Sequence, residues 1–434
     1  NMLAVPPVHA RRQARRRGWS TVTALHIPTD ISGETLAAAH DAYRRWLGDD
    51  YDLDVLDCVL ATAAAERLDG DPAWLLVVSG SGAAKTETIS PLRAAGAVEV
   101  SHISGEAALL SGTSSRERAE HATGGLLRQI GERGLLVIKD VTSILSMNRD
   151  TRAAVLAALR EIYDGHWTRY VGTDGGQTLS WRGRLVVIGA VTTAWDRAHQ
   201  VISTMGDRFV LVRIDSGTNR LAAGRQALGN VGAEQAMRAE LGDVVARLLA
   251  TVDPSADVNL TDDEQDILLA LADVVTRART AVDRDRSGTP EFVHAFEMPT
   301  RFAKQLAQIA RGCLALGMTR QRALDVAVRA AGDTMPPLRR LVLGDILEHP
   351  MSRTIDVAKR VRKPWQTINR VLQELHLLEL LAAEYEPWGN GERELYSLAE
   401  SVDEHSVRAL TAGSFTRNVR RGWEPSSPEM SGGV

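Results

Sequence analysis

A short polar segment after an apolar run has the residue types, in the order, that bind a phosphate chain. The run Trp74–Val78 continues into Ser79-Gly80-Ser81-Gly82-Ala83-Ala84-Lys85-Thr86. Small residues let backbone N–H groups close around phosphate oxygens, a lysine reaches the terminal phosphates, and a hydroxyl coordinates Mg²⁺. The segment therefore predicts a site for ATP and Mg²⁺, formed by Gly80, Ser81, Gly82, Ala83, Ala84, Lys85 and Thr86.

The segment departs from the pattern G-x-x-x-x-G-K-[ST] at two positions. In that register Ser79 replaces the first glycine, and Ala84 replaces the glycine before the lysine. If Gly80 is taken as the first glycine, the loop is one residue short. A glycine-rich turn with an incidental lysine is the alternative interpretation, and reduced or lost hydrolysis stays open.

Acidic residues after two other apolar runs extend the predicted site. Asp140 follows the run Leu135–Ile138, where a carboxylate can hold the water shell of Mg²⁺ beside the phosphates. An acid that only caps the next turn is the alternative. Val141 stands where many ATP-hydrolysing enzymes carry a catalytic glutamate, so the identity of the general base is left open. Glu106 is one candidate for that base, and a helix-start residue without chemistry is the other interpretation.

Two further residues have the types that act on a terminal phosphate. The run Leu185–Val191 ends in Thr192-Thr193, where a hydroxyl can hold the attacking water or the γ-phosphate, and Thr193 is the candidate residue. Arg208 precedes another apolar run, and an arginine there can cross a subunit boundary to neutralise charge in a neighbour's transition state. A surface arginine paired with Asp207 is the alternative for Arg208.

The elements that must position these residues alternate between strand and helix. The predicted strands are Trp74–Val78, Val98–Ile103, Leu135–Ile138, Leu185–Val191 and Phe209–Ile214, and the clearest helix between them is Arg152–Tyr163. Such alternation predicts an α/β fold with a parallel sheet covered by helices. After Asp215 the strand pattern disappears, and a capping box at Thr261–Glu264 opens a series of helices.

The assembled order of motifs, over about residues 60 to 345, resembles the AAA+ superfamily of P-loop ATPases. Gly206-Asp207-Arg208-Phe209 is similar to the Ser-Arg-Phe finger of minichromosome-maintenance helicases, and Pro299-Thr300-Arg301 resembles their second sensor. Ile138–Met147 and Arg160–Gly165 resemble phage and mobile-element ATPases, often called helicase- or primase-like. The resemblance implies a homo-oligomer such as a hexamer, with Arg208 acting in trans and Arg301 contacting nucleotide from a helical lid.

The C-terminal region has a separate pattern. Helices are predicted at Leu338–Glu348, Ile355–Val361 and Trp365–Leu375, the last with Pro364 at its first position. Two strands joined by a Gly389-Asn390-Gly391 turn follow. The segment resembles the winged helix-turn-helix domains of bacterial regulators and of helicase C-termini.

The third helix of this region offers a polar face that can enter a DNA groove. We expect contacts with single- or double-stranded DNA from Arg362, Lys363, Gln366, Thr367, Asn369 and Arg370. A winged helix used only for protein contacts is the alternative. The net charge of −4 over 434 residues gives no overall attraction to nucleic acid, so any DNA contact must be local.

Composition restricts the remaining function classes. Cys58 and Cys313 are the only cysteines of the chain, too few and too distant for a disulfide framework or a zinc site. No apolar run reaches the ~20 residues that span a bilayer, and no apolar segment of a signal peptide follows the arginines near the N-terminus. These features predict a cytoplasmic protein without a membrane partner.

The predicted organisation has five parts. They are a basic arm and helix at 1–50, a P-loop ATPase core at 51–216, a helical lid at 217–337, a winged helix-turn-helix at 338–400 and a partly disordered tail at 401–434. The arginines at 11, 12, 15, 16 and 17 form either a phosphate-binding arm or a solvated tail. The predicted function is an ATP-dependent DNA motor of helicase or translocase type in phage or mobile-element replication. The alternatives are an ATP-responsive transcription regulator and a DNA-binding scaffold with a degenerate nucleotide loop.

Overall fold

The computed structural model describes residues 36–80, 82, 84–112, 124–172, 176–196, 208–215, 220–388 and 391–412. The predicted N-terminal arm, Ser81, Ala83, Gly206-Asp207, the Gly389-Asn390 turn and the tail from 413 lie outside these residues. The helices are α1 (Leu36–Leu47), α2 (Leu53–Ala64), α3 (Lys85–Ile89), α4 (Glu106–Leu109), α5 (Leu126–Ile130), α6 (Thr142–Leu145), α7 (Arg149–Tyr163), α8 (Arg220–Gly229), α9 (Glu234–Ala250), α10 (Asp262–Arg279), α11 (Pro299–Ala315), α12 (Arg320–Thr334), α13 (Pro337–Glu348), α14 (Thr354–Val361), α15 (Trp365–Leu377) and α16 (Glu404–Thr411). The strands are β1 (Trp74–Ser79), β2 (Val98–Val100), β3 (Arg133–Ile138), β4 (His166–Val171), β5 (Gln177–Arg182), β6 (Arg184–Thr192), β7 (Val210–Arg213), β8 (Val282–Arg284), β9 (Pro290–Val293), β10 (Leu381–Trp388) and β11 (Gly391–Leu398).

A five-stranded sheet with the order β2-β3-β6-β1-β7 forms the centre of the fold. All its pairings are parallel, and β1 lies between β6 and β7 with Ser79 opposite Thr192 and Leu75 opposite Val210. The carboxyl ends of the strands therefore meet at one edge of the sheet, here called the carboxyl edge, and their amino ends meet at the opposite amino edge. The predicted α/β class with a parallel sheet is confirmed.

Strand β1 is buried along its whole length because both faces of the sheet are covered. Leu75 and Val77 point into a core shared with α1, α2 and the helices that follow the sheet. Trp74, Leu76 and Val78 point the other way, into a second core built with α7 and the strands β4 and β5. Neighbouring side chains of a strand point to opposite faces, so a sheet covered on both sides needs a continuous apolar run.

Two β-hairpins were missed by the sequence prediction. β4 and β5 pair antiparallel with Trp167 opposite Trp181, between α7 and β6. β8 and β9 pair antiparallel after α10, with a register shift between Asp283 and Arg284. Each hairpin strand is short and partly exposed, so its few apolar residues alternate with polar ones and give a weak pattern.

The helices after the sheet pack closely on α2. Burial raises the pKa of the Cys58 thiol in α2, and Cys313 in α11 is buried as well. Near this contact a Cβ on Gly312 would overlap the backbone oxygen of Ala61, so the approach of the two helices requires glycine. In the part of the chain that the structure describes, no helix has the length and apolar character needed to cross a bilayer.

The C-terminal region consists of α13, α14 and α15 followed by the antiparallel pair β10–β11. Ile368, Leu372 and Leu375 on one face of α15 are buried in the core. A further helix, α16, lies in the segment that the sequence analysis assigned to the tail. It begins after the N-cap Asp403 and buries Val407 and Leu410, so the packed structure extends beyond the predicted end at residue 400.

A buried carboxylate joins the sheet to these helices. Asp333, at the end of α12, is fully buried and accepts hydrogen bonds from the backbone N–H of Arg213 at 2.8 Å, from Arg329 at 2.7 Å and from Arg340 at 2.9 Å. Arg213 is the last residue of β7 and also binds Asp196 through two hydrogen bonds of 2.7 and 2.9 Å. The network connects β7 with α12 and α13 through charge-assisted bonds.

Candidate functional site

The predicted phosphate loop turns sharply between β1 and α3. Gly82 has φ +78° and Ala84 has φ +53°, and Lys85 begins the helix. At such positive φ a Cβ crowds the following carbonyl oxygen, which costs about 1–2 kcal/mol for residues other than glycine. Ala84 therefore stands in place of the usual glycine before the lysine, at a position whose backbone conformation favours glycine.

The ammonium of Lys85 lies inside this turn. It donates hydrogen bonds to the backbone oxygens of Gly80 at 2.6 Å and Ser79 at 3.2 Å, and to the Ser79 hydroxyl at 2.9 Å. Partial burial lowers the pKa of Lys85, and the negative charge of Asp140 opposes this effect. The hydrogen-bond partners of the cation are neutral oxygens, which phosphate oxygens can replace at a gain in Coulomb attraction.

Asp140 follows β3 and lies at the carboxyl edge together with the loop. Its carboxylate accepts a hydrogen bond of 2.9 Å from the N–H of Thr142. The Thr142 hydroxyl accepts in turn from the N–H of Thr192 at 3.2 Å, and the two hydroxyls are 3.4 Å apart. Since Thr192 pairs with Ser79 in the sheet, this chain of contacts leads from Asp140 back to the start of the loop.

Of the two threonines at the end of β6, Thr192 adjoins the loop and Thr193 lies one residue further along. Thr192 is the last residue of the strand and holds the position beside Ser79. Thr193 lies just beyond the strand with an exposed side chain, and its backbone oxygen accepts from the N–H of Asp196 at 3.2 Å. The sequence places both threonines at this strand end, but the apolar pattern alone does not give the last residue of a strand and so does not show which of them adjoins the loop.

The general base cannot be supplied from the position after Asp140. Val141 is buried, and a Cβ on Gly189 would lie only 2.6 Å from its Cγ2, so this side chain fills the core under the sheet. Glu106 begins α4, and its carboxylate accepts a 2.9 Å hydrogen bond from Arg169 of β4. The candidate base is thus attached to the β4–β5 hairpin.

The side chains predicted to hold Mg²⁺ are Thr86 and Asp140. Both are exposed at the carboxyl edge and offer oxygen atoms, which Mg²⁺ prefers. Over the described ranges, no group of three or more His, Cys, Asp and Glu side chains is placed to hold a metal alone. These oxygens fit an ion that keeps most of its waters and shares the phosphates of a nucleotide.

Arg208 lies at the amino edge, away from its own phosphate loop. It precedes Val210, the register partner of Leu75, so about six steps of extended chain, about 20 Å, separate it from Ser79. Its guanidinium lies 3.6 Å from the carboxylate of Asp164 and 5.6 Å from the ring centroid of Tyr163. An arginine side chain cannot span the distance back to the loop of the same chain.

Arg301, the predicted second sensor, lies with Arg208. It is near the start of α11 and its guanidinium is 3.5 Å from the carboxylate of Glu297. Gln305 of the same helix donates a 2.6 Å hydrogen bond to the backbone oxygen of Arg208, so Arg208 lies against α11. Burial, and then the positive charge of Arg301, lower the pKa of Arg208. The structure therefore brings these two predicted residues together and separates both from Lys85 and Asp140.

No protein-family model matches the chain, and no curated protein matches it. Solved structures with some similarity include one titled "SCCmec type IV Cch - active helicase", at 10% identity and TM-score 0.33, covering 87% of this chain and 72% of that one. Another is the Aeropyrum pernix ORC1 protein in complex with DNA, at 14% identity and TM-score 0.24, covering 86% of this chain and 98% of that one. At these TM-scores neither likeness carries an inference about this chain.

The residues predicted to contact DNA lie around α15. Gln366 and Arg370 are exposed, and Thr367 and Asn369 are partly exposed. Arg362 and Lys363 come just before the helix, where Arg362 ends α14 in the left-handed conformation at φ +52°. The β8–β9 hairpin lies against the same helix, which the sequence did not predict.

Proposed function

We propose that this chain is an ATP-dependent motor acting on DNA, of helicase or translocase type, in the replication of a phage or mobile element. The observation that supports it most is the meeting of Lys85, Asp140 and the end of β6 at the carboxyl edge, where the adjacent strands β3, β6 and β1 end. Open α/β sheets bind their ligands outside the carboxyl ends of the strands, where the strand order changes direction.

Bound Mg²⁺ and ATP would supply the phosphoanhydride bond and the metal charge on which the reaction depends. In our proposal Lys85 gives up its hydrogen bonds to the oxygens of Ser79 and Gly80 and donates to phosphate oxygens instead. The Thr86 hydroxyl and the Asp140 carboxylate hold the metal and its waters. Thr193, together with Thr192, positions the attacking water, and Glu106 accepts its proton.

Arg208 and Arg301 would complete the site of a neighbouring copy in a homo-oligomer, such as a hexamer. Their place at the amino edge supports this, since a ring that sets the amino edge of one copy against the carboxyl edge of the next unites the two sets of residues. An arginine supplied in trans neutralises the charge that develops on the phosphates. The Glu106–Arg169 contact would then connect turnover with movement of the β4–β5 hairpin.

The C-terminal region would hold the DNA. Its three helices and the β10–β11 pair have the order of a winged helix-turn-helix, and Arg362, Lys363 and Arg370 give the region around α15 a positive charge. The overall charge of −4 makes such a local site necessary.

ATP hydrolysis measured with and without single- and double-stranded DNA tests the proposal, on the wild type, Lys85→Ala and Arg208→Ala. We expect DNA to stimulate turnover and both substitutions to abolish it. Arg238→Ala, on the exposed side of α9, is the matched control and should retain activity. The motor proposal would be refuted if DNA did not change the ATP turnover of the wild type and if Lys85→Ala kept that turnover.

The scaffold alternative has one structural observation in its favour, the left-handed backbone at Ala84. If strain there has removed nucleotide binding, a titration with an ATP analogue and Mg²⁺ will show no saturation in the wild type, and Ala84→Gly will restore it. Binding that depends on Lys85 excludes the scaffold.

A further inference from the structure

A cleft lies between the turn of the β8–β9 hairpin and the outward face of α15. It has a volume of about 320 Å³ and is lined by residues 287–290 of the hairpin and by Trp365, Gln366, Asn369, Arg370 and Gln373 of the helix. We propose that this cleft binds one unpaired base of a single DNA strand. The inference rests on the proposed function, because it specifies the form of DNA that the C-terminal region takes.

Arg284 fixes the hairpin to the helix. Its guanidinium donates hydrogen bonds to the backbone oxygen of Gly288 at 2.6 Å, to the backbone oxygen of Arg370 at 2.7 Å and to the carboxylate of Glu374 at 3.1 Å. A Cβ on Gly288 would lie 3.1 Å from the Arg370 guanidinium, so the turn backbone packs directly on that side chain. Glu374 is held from the other side by Arg339 at 3.0 Å. Both walls of the cleft, the hairpin turn and α15, are therefore fixed in place by hydrogen bonds within the fold.

The lining offers what a nucleobase needs. The Trp365 side chain is 50% exposed and gives a flat surface on which a base can stack. Gln366, Asn369 and Gln373 place amide donors and acceptors on the same face of the helix, and such amides pair with base edges. Arg370 adds a guanidinium for the phosphate next to the bound base.

The size and cover of the cleft favour a single strand over a duplex. A major groove about 12 Å wide accommodates a helix of about 10–12 Å diameter only if the outer face of the helix is uncovered. Here the hairpin turn lies against that face at the exposed Arg370 side chain, where a Cβ on Gly288 would be 3.1 Å from the guanidinium. A volume of about 320 Å³ is at the lower end of the range of about 300–1,000 Å³ for small-ligand pockets. One base fits this cleft, and a base pair within a duplex does not reach it.

Fluorescence anisotropy of the full chain without nucleotide tests the proposal, using a labelled single strand and a hairpin duplex of the same sequence. We expect the wild type to prefer the single strand. Trp365→Ala should weaken single-strand binding by about 5- to 150-fold, the range for loss of one base–aromatic stack. Trp365→Phe should restore most of the affinity. Ile267→Ala, which removes a similarly exposed apolar side chain from α10, should have no effect.

A second variant distinguishes a hairpin that forms part of the binding site from a hairpin that only covers the helix. Arg284→Gln releases the hairpin, and we expect weaker single-strand binding and loss of the quenching of a 2-aminopurine base placed in the strand. Unchanged single-strand binding in Arg284→Gln, or a wild type that prefers duplex, would overturn the single-strand site and leave the proposed DNA motor standing. A chain that binds neither form of DNA overturns both.

Discussion

The carboxyl and amino edges of one parallel sheet carry opposite halves of the predicted chemistry. At the carboxyl edge a tight backbone turn, one lysine and one exposed carboxylate lie together around Lys85 and Asp140. At the amino edge Arg208 packs against Tyr163 and Asp164 of the same chain, and Arg301 lies nearby, paired with Glu297. About six steps of extended chain separate the two groups, so neither half can serve the other within one copy.

The order of residues along the chain does not show which residues share a site. Arg208 and Arg213 are five positions apart, yet Arg208 precedes β7 at the amino edge and Arg213 ends β7 at the carboxyl edge. Arg213 there contacts Asp196 and Asp333. A site shared between copies, as proposed above, is the arrangement in which both groups of residues have a use.

Mixing two inactive variants gives the largest effect and tests the comparison directly. Arg208→Ala should lower turnover by roughly 10³- to 10⁵-fold, the range for an arginine finger, and Lys85→Ala should abolish it. When the two are mixed, some interfaces combine an intact loop with an intact arginine, so ATP hydrolysis measured on the mixture should partly recover. If the mixture stays inactive although each variant still assembles, the two edges do not share a site.

Substitution of the candidate base should give the next largest effect. Glu106→Gln keeps the hydrogen bond to Arg169 but removes the proton acceptor, so turnover should fall by about 10²- to 10⁴-fold with unchanged ATP affinity. Single-turnover hydrolysis and nucleotide titration measure the two quantities. Glu161→Gln, on the exposed side of α7, serves as the control. Unchanged turnover in Glu106→Gln would show that this residue only begins a helix.

Removal of the buried carboxylate beside β7 should destabilise the fold. Asp333→Ala leaves Arg213, Arg329 and Arg340 without their shared acceptor, so the free energy of unfolding should fall by about 3–5 kcal/mol. Denaturant titration measures it. Asp325→Ala on the exposed side of the same helix should change it by less than about 0.5 kcal/mol. Equal effects of the two substitutions would mean that the network does not hold β7 in place.

Relief of the strained turn is the smallest effect. Ala84→Gly removes about 1–2 kcal/mol of strain, partly offset by the extra freedom of glycine in the unfolded chain, so stability should rise by up to about 1 kcal/mol. Ala153→Gly, in the middle of α7, should instead lower stability by about 1 kcal/mol. Thermal unfolding compares the two. A loss of stability in both would show that position 84 does not favour glycine.

Much of the fold is visible in the sequence because burial on two faces leaves a strong pattern. The apolar runs at 74–78, 135–138 and 185–191 predicted strands that the structure extends by only one or two residues. The capping box at Thr261 and Glu264 is present as predicted. The hairpins β4–β5 and β8–β9 escaped prediction because one-sided burial over so few residues gives little pattern. Helix α16 was missed as well.

The sequence by itself determined the parallel α/β core and predicted that Lys85 and Asp140 lie at the same edge of the sheet, since both follow buried parallel strands and such strands end at a common edge. Tertiary structure alone decided three further points. Arg208 and Arg301 lie together at the far edge, Thr192 adjoins the loop, and the β8–β9 hairpin covers α15. The physical reason is that a run of residues fixes its own element and the direction of its strand. Contacts between elements distant in sequence depend on how whole layers pack, and no local pattern records that packing.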